Sequence, residues 1–388
     1  MTPPLGTLAA DEFLQRYWQR EPLLIRQAFP DFQPELDVND IAGLACEEMA
    51  EARLVSGRFP QHDWRVRYGP FRERDLAALP DRDWTLLVQD VEKHYPPLRA
   101  LLDRFDFLPR WRIDDLMVSV AAPGGSVGPH VDQYDVFLLQ AQGRRRWQIA
   151  ERFPPELRDG VELNVLESFE AEREWVLEPG DILYLPPGIA HHGEALDTGM
   201  TWSLGMRAPS AADLFQAFGE WLAERHAEGA RYTDPPLEAH RDNTELDASA
   251  VARFGELAAG ELDTNGPFTE FLGHFLSRYR LAHEPAPPEE TTDESGLHAA
   301  LAAGAVLKQN PWTRMLWIRI NSQAAVFAAG TRYACSEDMA AILCDPKRLA
   351  TVSNALHEPE VVCALSVSYT HLRAHETERL ISYAVFCL

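Results

Sequence analysis

Cysteine is scarce in this sequence, with five residues among 388 (Cys46, Cys335, Cys344, Cys363 and Cys387) and no Cys-x-x-Cys pair. That scatter suits neither a disulfide framework nor a structural zinc site, and it fits a reducing, cytoplasmic compartment. Long apolar runs are also missing: nothing approaches 18 consecutive apolar residues, and the opening Met1-Thr-Pro-Pro-Leu-Gly6 has no basic segment followed by an apolar one. Neither a membrane span nor a secretory leader is therefore expected. Positive charge is in deficit, 36 Lys plus Arg against 60 Asp plus Glu, for a formal charge of −24. Such a field repels nucleic acid phosphate and draws in basic proteins, so no direct nucleic acid ligand is expected.

Core-forming residues are plentiful: 46% of the chain is hydrophobic, with ten Trp and eighteen Phe. The length exceeds one typical domain of roughly 100–200 residues, which predicts two or three compact units. The final stretch reads differently. Val367-Ser-Tyr-Thr-His-Leu-Arg-Ala-His-Glu-Thr377 and Ile381-Ser-Tyr-Ala-Val-Phe-Cys-Leu388 resemble translated sequencing adapter around a three-residue spacer. Residues 367–388, including His371, His375 and Cys387, are accordingly set aside as a non-native tail that truncates the natural C-terminus.

Periodicity divides the remainder. Residues 11–50 read as helices, from Phe13, Tyr17 and Trp18 and then Ile41, Leu44 and Met49, and a further helix is expected over Trp84–Phe105. From Trp111 to Pro209 short apolar runs (Leu116–Ala121, Val136–Leu139, Trp147–Ile149, Ile182–Leu185, Trp202–Met206) alternate with Pro and Gly, the texture of a small barrel or jelly roll. Helical stripes return at Leu214–Leu222, Ala248–Leu262 and Pro267–Arg280. A Pro- and acid-rich linker, 284–295, then precedes a helix near Gly296–Ala305, two strands (Met315–Ile320, Ala324–Ala328) and a helix near Asp338–Cys344, an order that resembles a winged helix. Residues 284–366 carry ten acids against six Lys plus Arg, which disfavours a nucleic acid role there.

The chemistry concentrates in two segments. Pro129-His130-Val131-Asp132 places an imidazole and a carboxylate at i and i+2, on one side of a strand. Gly180-Asp-Ile-Leu-Tyr-Leu-Pro186-Pro-Gly188-Ile-Ala-His191 fits G-x5-P-x-G-x2-H, the second cupin motif, in which a Pro/Gly turn presents a histidine into a barrel. His192 competes for that role, and the motif spacing selects His191. Two imidazoles and one carboxylate on one face of an octahedral ion leave three positions open, the facial triad of non-haem Fe(II) oxygenases. A 2-oxoglutarate co-substrate would take two of them and need a cation for its distal carboxylate. In Gly143-Arg-Arg-Arg-Trp147-Gln-Ile149, if Trp147 and Ile149 face inward, Arg145 does too, with Arg144 and Arg146 outside. Ser203 and Thr201 are candidates to hydrogen-bond the co-substrate. Asp114, Asp115, Gln133, Tyr134 and Asp135 are candidates to receive a cationic substrate side chain at the mouth.

On these residues, together with Phe13-Leu-Gln-Arg-Tyr-Trp-Gln-Arg-Glu-Pro-Leu-Leu-Ile-Arg26, Trp111-Arg-Ile-Asp-Asp-Leu-Met117 and Gly205-Met-Arg-Ala-Pro209, the chain resembles the JmjC-type 2-oxoglutarate oxygenases, specifically bacterial ribosomal oxygenases. The resemblance implies an α+β protein with N-terminal helices and a double-stranded β-helix (the cupin or jelly-roll JmjC barrel) over residues 1–209. A helical dimerisation domain over 210–283 and a truncated winged-helix-like domain over 284–366 would follow. It implies Fe(II) on His130, Asp132 and His191, 2-oxoglutarate on Arg145, and O2 as oxidant. The implied reaction is hydroxylation of an arginine Cβ in a basic large-subunit ribosomal protein by a cytoplasmic homodimer. Alternatives are a histidyl hydroxylase or lysine demethylase of the same group, a cupin metal-dependent isomerase or dioxygenase without 2-oxoglutarate, and a non-enzymatic binding protein. A buried Arg145 separates the 2-oxoglutarate enzymes from the isomerase.

Overall fold

A computed structural model of the chain describes residues 2–61, 63–225, 229–236, 246–264, 266–278, 306–351 and 380–383, together with residues 244, 295, 296, 299 and 303. They form two compact units, Met1–Ala208 and Pro209–Leu388. In the first unit the order is α1 (Ala10–Arg16), β1 (Leu23–Ile25), α2 (Val38–Leu44), β2 (Ala52–Ser56), β3 (Arg65–Tyr68), α3 (Glu73–Ala77), β4 (Trp84–Val88), α4 (Val91–His94) and α5 (Arg99–Leu102). Then come β5 (Ile113–Ala121), β6 (His130–Val131), β7 (Val136–Gln142), β8 (Arg145–Ala150), β9 (Arg173–Leu177), β10 (Ile182–Leu185), β11 (Ala190–Ala195) and β12 (Gly199–Met206).

The strands make two antiparallel sheets, β1-β10-β7-β12-β5-β4-β2-β3 and β6-β11-β8-β9. Alternation along the strands sorts the side chains. On β5, β7 and β12, Leu116, Val118, Phe137, Leu139, Trp202 and Leu204 turn outward, into a core closed by Phe13, Ile41 and Val91 of the helical segments. The opposite parity turns inward, where Val136 and Leu138 meet Trp147, Ile149 and Leu177 of the smaller sheet. Each fully buried side chain of this size contributes roughly 1.5–3 kcal/mol. The larger sheet is therefore mainly apolar on both faces.

Two expectations are corrected. Trp84–Phe105 is not one helix: Trp84–Val88 is strand β4, paired with β2 and β5, and only short helical turns follow. Burial on both faces makes Thr85 to Val88 uniformly buried, so no period of two marks the strand. Likewise the N-terminal 11–50 region contains strand β1, which extends the larger sheet against β10.

The second unit contains α6 (Ala211–Arg225), α7 (Ala248–Glu261), α8 (Pro267–Ser277), β13 (Val306–Gln309), β14 (Met315–Ile320), β15 (Gln323–Ala328), β16 (Thr331–Cys335), α9 (Glu337–Leu343), α10 (Pro346–Thr351) and β17 (Leu380–Tyr383). Phe218 and Trp221 of α6 pack on Phe271 of α8. Strands β14, β15 and β16 form an antiparallel sheet carrying α8 and α9. Strand β16 was not anticipated, because its inward and outward residues are small or polar. Most of the expected 284–295 linker and 296–305 helix lies outside the described residues, as does the tail except for β17, which runs parallel to β13.

Candidate metal centre

Two backbone pairings bring the chemical segments together. His130 of β6 and His191 of β11 are register partners, so their side chains share a face, and Gly188 N donates to Asp132 O at 2.8 Å. The turn that leads into β10 needs glycine at Gly180: its φ is +90°, and a Cβ there would stand 2.2 Å from Phe29 O. Asp132 follows the last residue of β6 rather than lying within the strand, and its carboxylate still reaches the same point.

One ligand atom from each of His130, Asp132 and His191 lies within 4.8 Å of the others. His191 Nε2 is 3.7 Å from Asp132 Oδ2, and the two imidazole centroids are 4.2 Å apart. His130 Nδ1 is 2.9 Å from Gly128 O, and His191 Nδ1 is 2.9 Å from Ile189 O. Each Nδ1–H thus donates to a carbonyl, which fixes the tautomer and leaves the Nε2 lone pair facing the centre. Burial and the neighbouring His130 push the His191 pKa down to about 4, keeping it neutral and able to ligate. Two imidazoles and a carboxylate in this arrangement suit a divalent transition ion.

His192 projects from the other face of β11 and is enclosed by Phe59 and Phe169, at 5.6 and 6.1 Å between centroids. The strand therefore presents one histidine to the cluster and the other to an aromatic sandwich.

Arg145 lies on the inner face with Trp147 and Ile149, because register pairs Ala195, Gly193 and His191 with those three residues in turn. Arg144 and Arg146 point away, to Asp197 and Glu194. Arg145 is 4% exposed, yet among the described residues no acid pairs with it. Its guanidinium reaches only Thr201 Oγ1 (3.4 Å) and Gly193 O (3.3 Å), lies over the Trp147 ring, and leaves Nε without a partner. Burial lowers its pKa to about 10, so it remains a cation at neutral pH. A buried cation held by two long hydrogen bonds is a site for an anion.

Thr201 in turn donates to Gln140 Oε1 at 2.9 Å, a buried link on β7 that no sequence motif marked. Ser203 is on the same inner face, opposite Leu138 and Met117. At the mouth, a Cβ on Gly205 would lie 3.3 Å from Asp115 Oδ1 and 3.9 Å from the Tyr134 ring, so the glycine leaves space between them. Burial and the Asp132 and Asp115 carboxylates push the Tyr134 hydroxyl pKa up, keeping it a donor. Arg53 of β2, overlooked in the sequence, also acts electrostatically on Tyr134. Gln133 is exposed, and Asp114 stands at the bulge where β12 shifts register between Gly205 and Met206.

Asp135 is a correction. It is fully buried and accepts from Tyr184 Oη (2.6 Å), Arg112 Nη2 (2.9 Å) and Gln19 Nε2 (3.1 Å). Strand parity turns it beneath the N-terminal segment, away from the cluster, where it ties that segment to the barrel.

Comparison with known proteins agrees with this geometry. The JmjC domain family matches residues 100–214, the ROXA-like winged helix family 262–364, and the AraC-like ligand binding domain family 166–271. The chain is 37% identical over 313 residues to the ribosomal protein uL16 3-hydroxylase of Escherichia coli K12, covering 80% of this chain and 83% of that protein. It is 28% identical over 214 residues to human ribosomal oxygenase 1, covering 50% and 32% respectively. The structure of YcfD, a ribosomal oxygenase from Escherichia coli, in complex with cobalt and 2-oxoglutarate superposes with a TM-score of 0.75 at 35% identity, over 90% of this chain and 96% of that one. With a relative this similar over most of both lengths, and with the barrel and its His–Asp–His cluster in place, the chain belongs to the JmjC-domain ribosomal oxygenases.

Proposed function

We propose that this protein is an Fe(II)- and 2-oxoglutarate-dependent oxygenase that hydroxylates the Cβ of an arginine in a large-subunit ribosomal protein. The carrying observation is a buried, acid-free Arg145 on the same barrel face as the His130, Asp132 and His191 cluster. An isomerase would have no use for that cation. The name of the Escherichia coli relative supports uL16 as the ribosomal protein and position 3 of the side chain as the target.

In this reading His130, Asp132 and His191 hold the iron, and the carbonyls of Gly128 and Ile189 keep both rings aimed. Iron bound there supplies oxygen activation, coupled to oxidative decarboxylation of 2-oxoglutarate to succinate and carbon dioxide. Arg145 binds the distal carboxylate of the co-substrate, with Ser203 beside it; Thr201, whose hydroxyl donates to Gln140 and accepts from Arg145, positions the guanidinium. Trp147 and Leu138 exclude water from that end. Asp115 and Tyr134 receive the cationic side chain, with Gln133 and Asp114 at the rim. The net charge of −24 favours approach of a basic protein.

The homodimer would use the helices of the second unit, where Phe215, Leu246, Val251 and Phe254 are each about half or more exposed. No described helix is long and apolar enough to cross a membrane, and a ribosomal substrate would place the work in the cytoplasm.

The test is anaerobic reconstitution with Fe(II), followed by 2-oxoglutarate, air and a peptide of the ribosomal protein. One added oxygen on arginine, with matching succinate and with neither product from Asp132→Ala, is expected. Succinate without peptide oxidation would move the substrate elsewhere, and the absence of both from folded, iron-loaded protein would overturn the oxygenase.

A further inference from the structure

The second unit holds a cavity of its own, about 400 Å3, lined by Arg225, Glu270, His274, Thr331 and Arg332 among others. It lies where the end of α6, one face of α8 and the β15–β16 turn meet, and the sequence builds that meeting closely. Gly273 lets the Phe327 ring press against α8, since a Cβ there would sit 2.5 Å from ring carbons. The turn is then fastened to the helix twice: Gly330 N donates to Ser277 Oγ at 3.0 Å, and His274 Nδ1 lies 2.5 Å from Gly330 O.

That second bond decides the chemistry of the cavity. Because Nδ1–H donates to Gly330 O, the neutral ring carries its acceptor lone pair on Nε2. His274 is 3% exposed, and its Nε2 is buried without a hydrogen-bond partner among the described residues. The closest acid oxygen, Glu270 Oε1, stands 3.6 Å away. A buried polar atom left unpaired on a lining residue is a vacant recognition point. The other wall is cationic. Arg225 lies over the Trp221 ring and Arg332 projects from β16, and neither pairs with an acid among the described residues. One wall thus lacks a donor and the other lacks an acceptor.

We propose that this cavity binds a small zwitterionic ligand of the α-amino-acid class. The carboxylate would lie on Arg225 and Arg332, and the ammonium would donate to Glu270 and His274 Nε2. A simple oxyanion answers only half of the lining, and the Glu270 carboxylate repels it. The volume is at the small-ligand end of the usual range of roughly 300–1,000 Å3. A metal is not favoured, because among the described residues only His130, Asp132 and His191 gather three ligating groups.

The whole protein, with 15N-labelled histidine, is titrated with a panel of L-amino acids and with inorganic phosphate and ethylammonium as half-ligands, read by calorimetry and by the His274 Nε2 resonance. At least one amino acid is expected to shift that resonance and to bind about tenfold or more tighter than either half-ligand. Arg332→Gln, an exposed position that leaves the fold intact, should weaken it by about tenfold. His274→Gln assigns the resonance; if that variant does not fold, the Arg332→Gln titration decides alone. Phosphate binding as tightly as the best amino acid, unchanged affinity in Arg332→Gln, or no binding by any amino acid would each overturn the proposal.

Discussion

His191 and His192 are neighbours in sequence and occupy opposite faces of β11: His191 Nε2 is 3.7 Å from Asp132, whereas His192 packs between Phe59 and Phe169. The two should therefore fail differently. His191→Ala is expected to lower Fe(II) or Co(II) affinity by roughly a hundredfold or more, beyond the loss typical of an outer-shell partner. His192→Ala should keep metal affinity and lose about 2–4 kcal/mol of stability through the cavity it leaves. A cobalt titration beside urea unfolding checks both.

Arg145→Lys should raise the Kd for 2-oxoglutarate about ten- to a hundredfold while leaving metal binding intact, because an ammonium cannot reproduce the guanidinium fork. The wild-type affinity should also depend on pH in one direction. Burial sets the free-state pKa at about 10, and a bound carboxylate raises it, so the cation is retained in the complex after the free protein begins to lose it. Affinity is thus flat near neutrality and falls above about pH 10, by at most about tenfold per pH unit for one proton. Calorimetry across pH 7–11, with folding followed by circular dichroism, measures the slope.

Gly193→Ala would place a Cβ 2.7 Å from Trp147 ring atoms and 2.8 Å from Arg145 Nε. The expected result is weaker 2-oxoglutarate binding with unchanged metal affinity, plus about 1–3 kcal/mol of destabilisation from overpacking. Equal co-substrate affinity in variant and wild type would contradict this placement of the anion.

Asp135 and Asp115 separate structure from recognition. Asp135→Ala removes the buried acid that pairs with the half-buried Arg112 and bonds Tyr184 and Gln19, and should cost about 3 kcal/mol in urea unfolding, with the substrate KM unchanged. Asp115→Asn should raise the peptide KM roughly tenfold, with little effect on succinate formation without peptide, since a charge-assisted contact is lost.

Arg158 acts at a distance from the cluster. It is buried and donates to three carbonyls, Gln61 O, Leu166 O and Glu167 O, so that the 157–167 loop stays against the barrel while Leu166 N donates to Pro129 O at 2.8 Å. Arg158→Ala should free His130 to reorient and weaken metal binding about tenfold, a loss visible in a cobalt titration without any turnover.

Much of the candidate site was legible because it is carried by short-range rules. The G-x5-P-x-G-x2-H spacing over Gly180–His191 encodes a turn and a presented histidine, and strand parity alone put Arg145 with Trp147 and Ile149. The helices α6, α7 and α8 were readable since each has one apolar stripe. Strand β4 was not, because a strand buried on both faces loses its alternation, and the leucines that resembled a helical stripe serve both sides of a sheet.

Asp135 failed for a different reason. It directly precedes β7, and only the onset of that strand at Val136 determines which side it takes. Sequence therefore determined the ligand types, their spacing, the acidic field and the barrel class, all of which depend on local geometry or on composition. Only the tertiary structure decided that Asp135 joins Tyr184 and Arg112, that Arg145 has no acid within reach, and that His274 meets Gly330 with Nε2 left unpaired. Those outcomes depend on pairings between residues 23 to 56 positions apart, or on a partner that is missing, and neither is written in any local pattern.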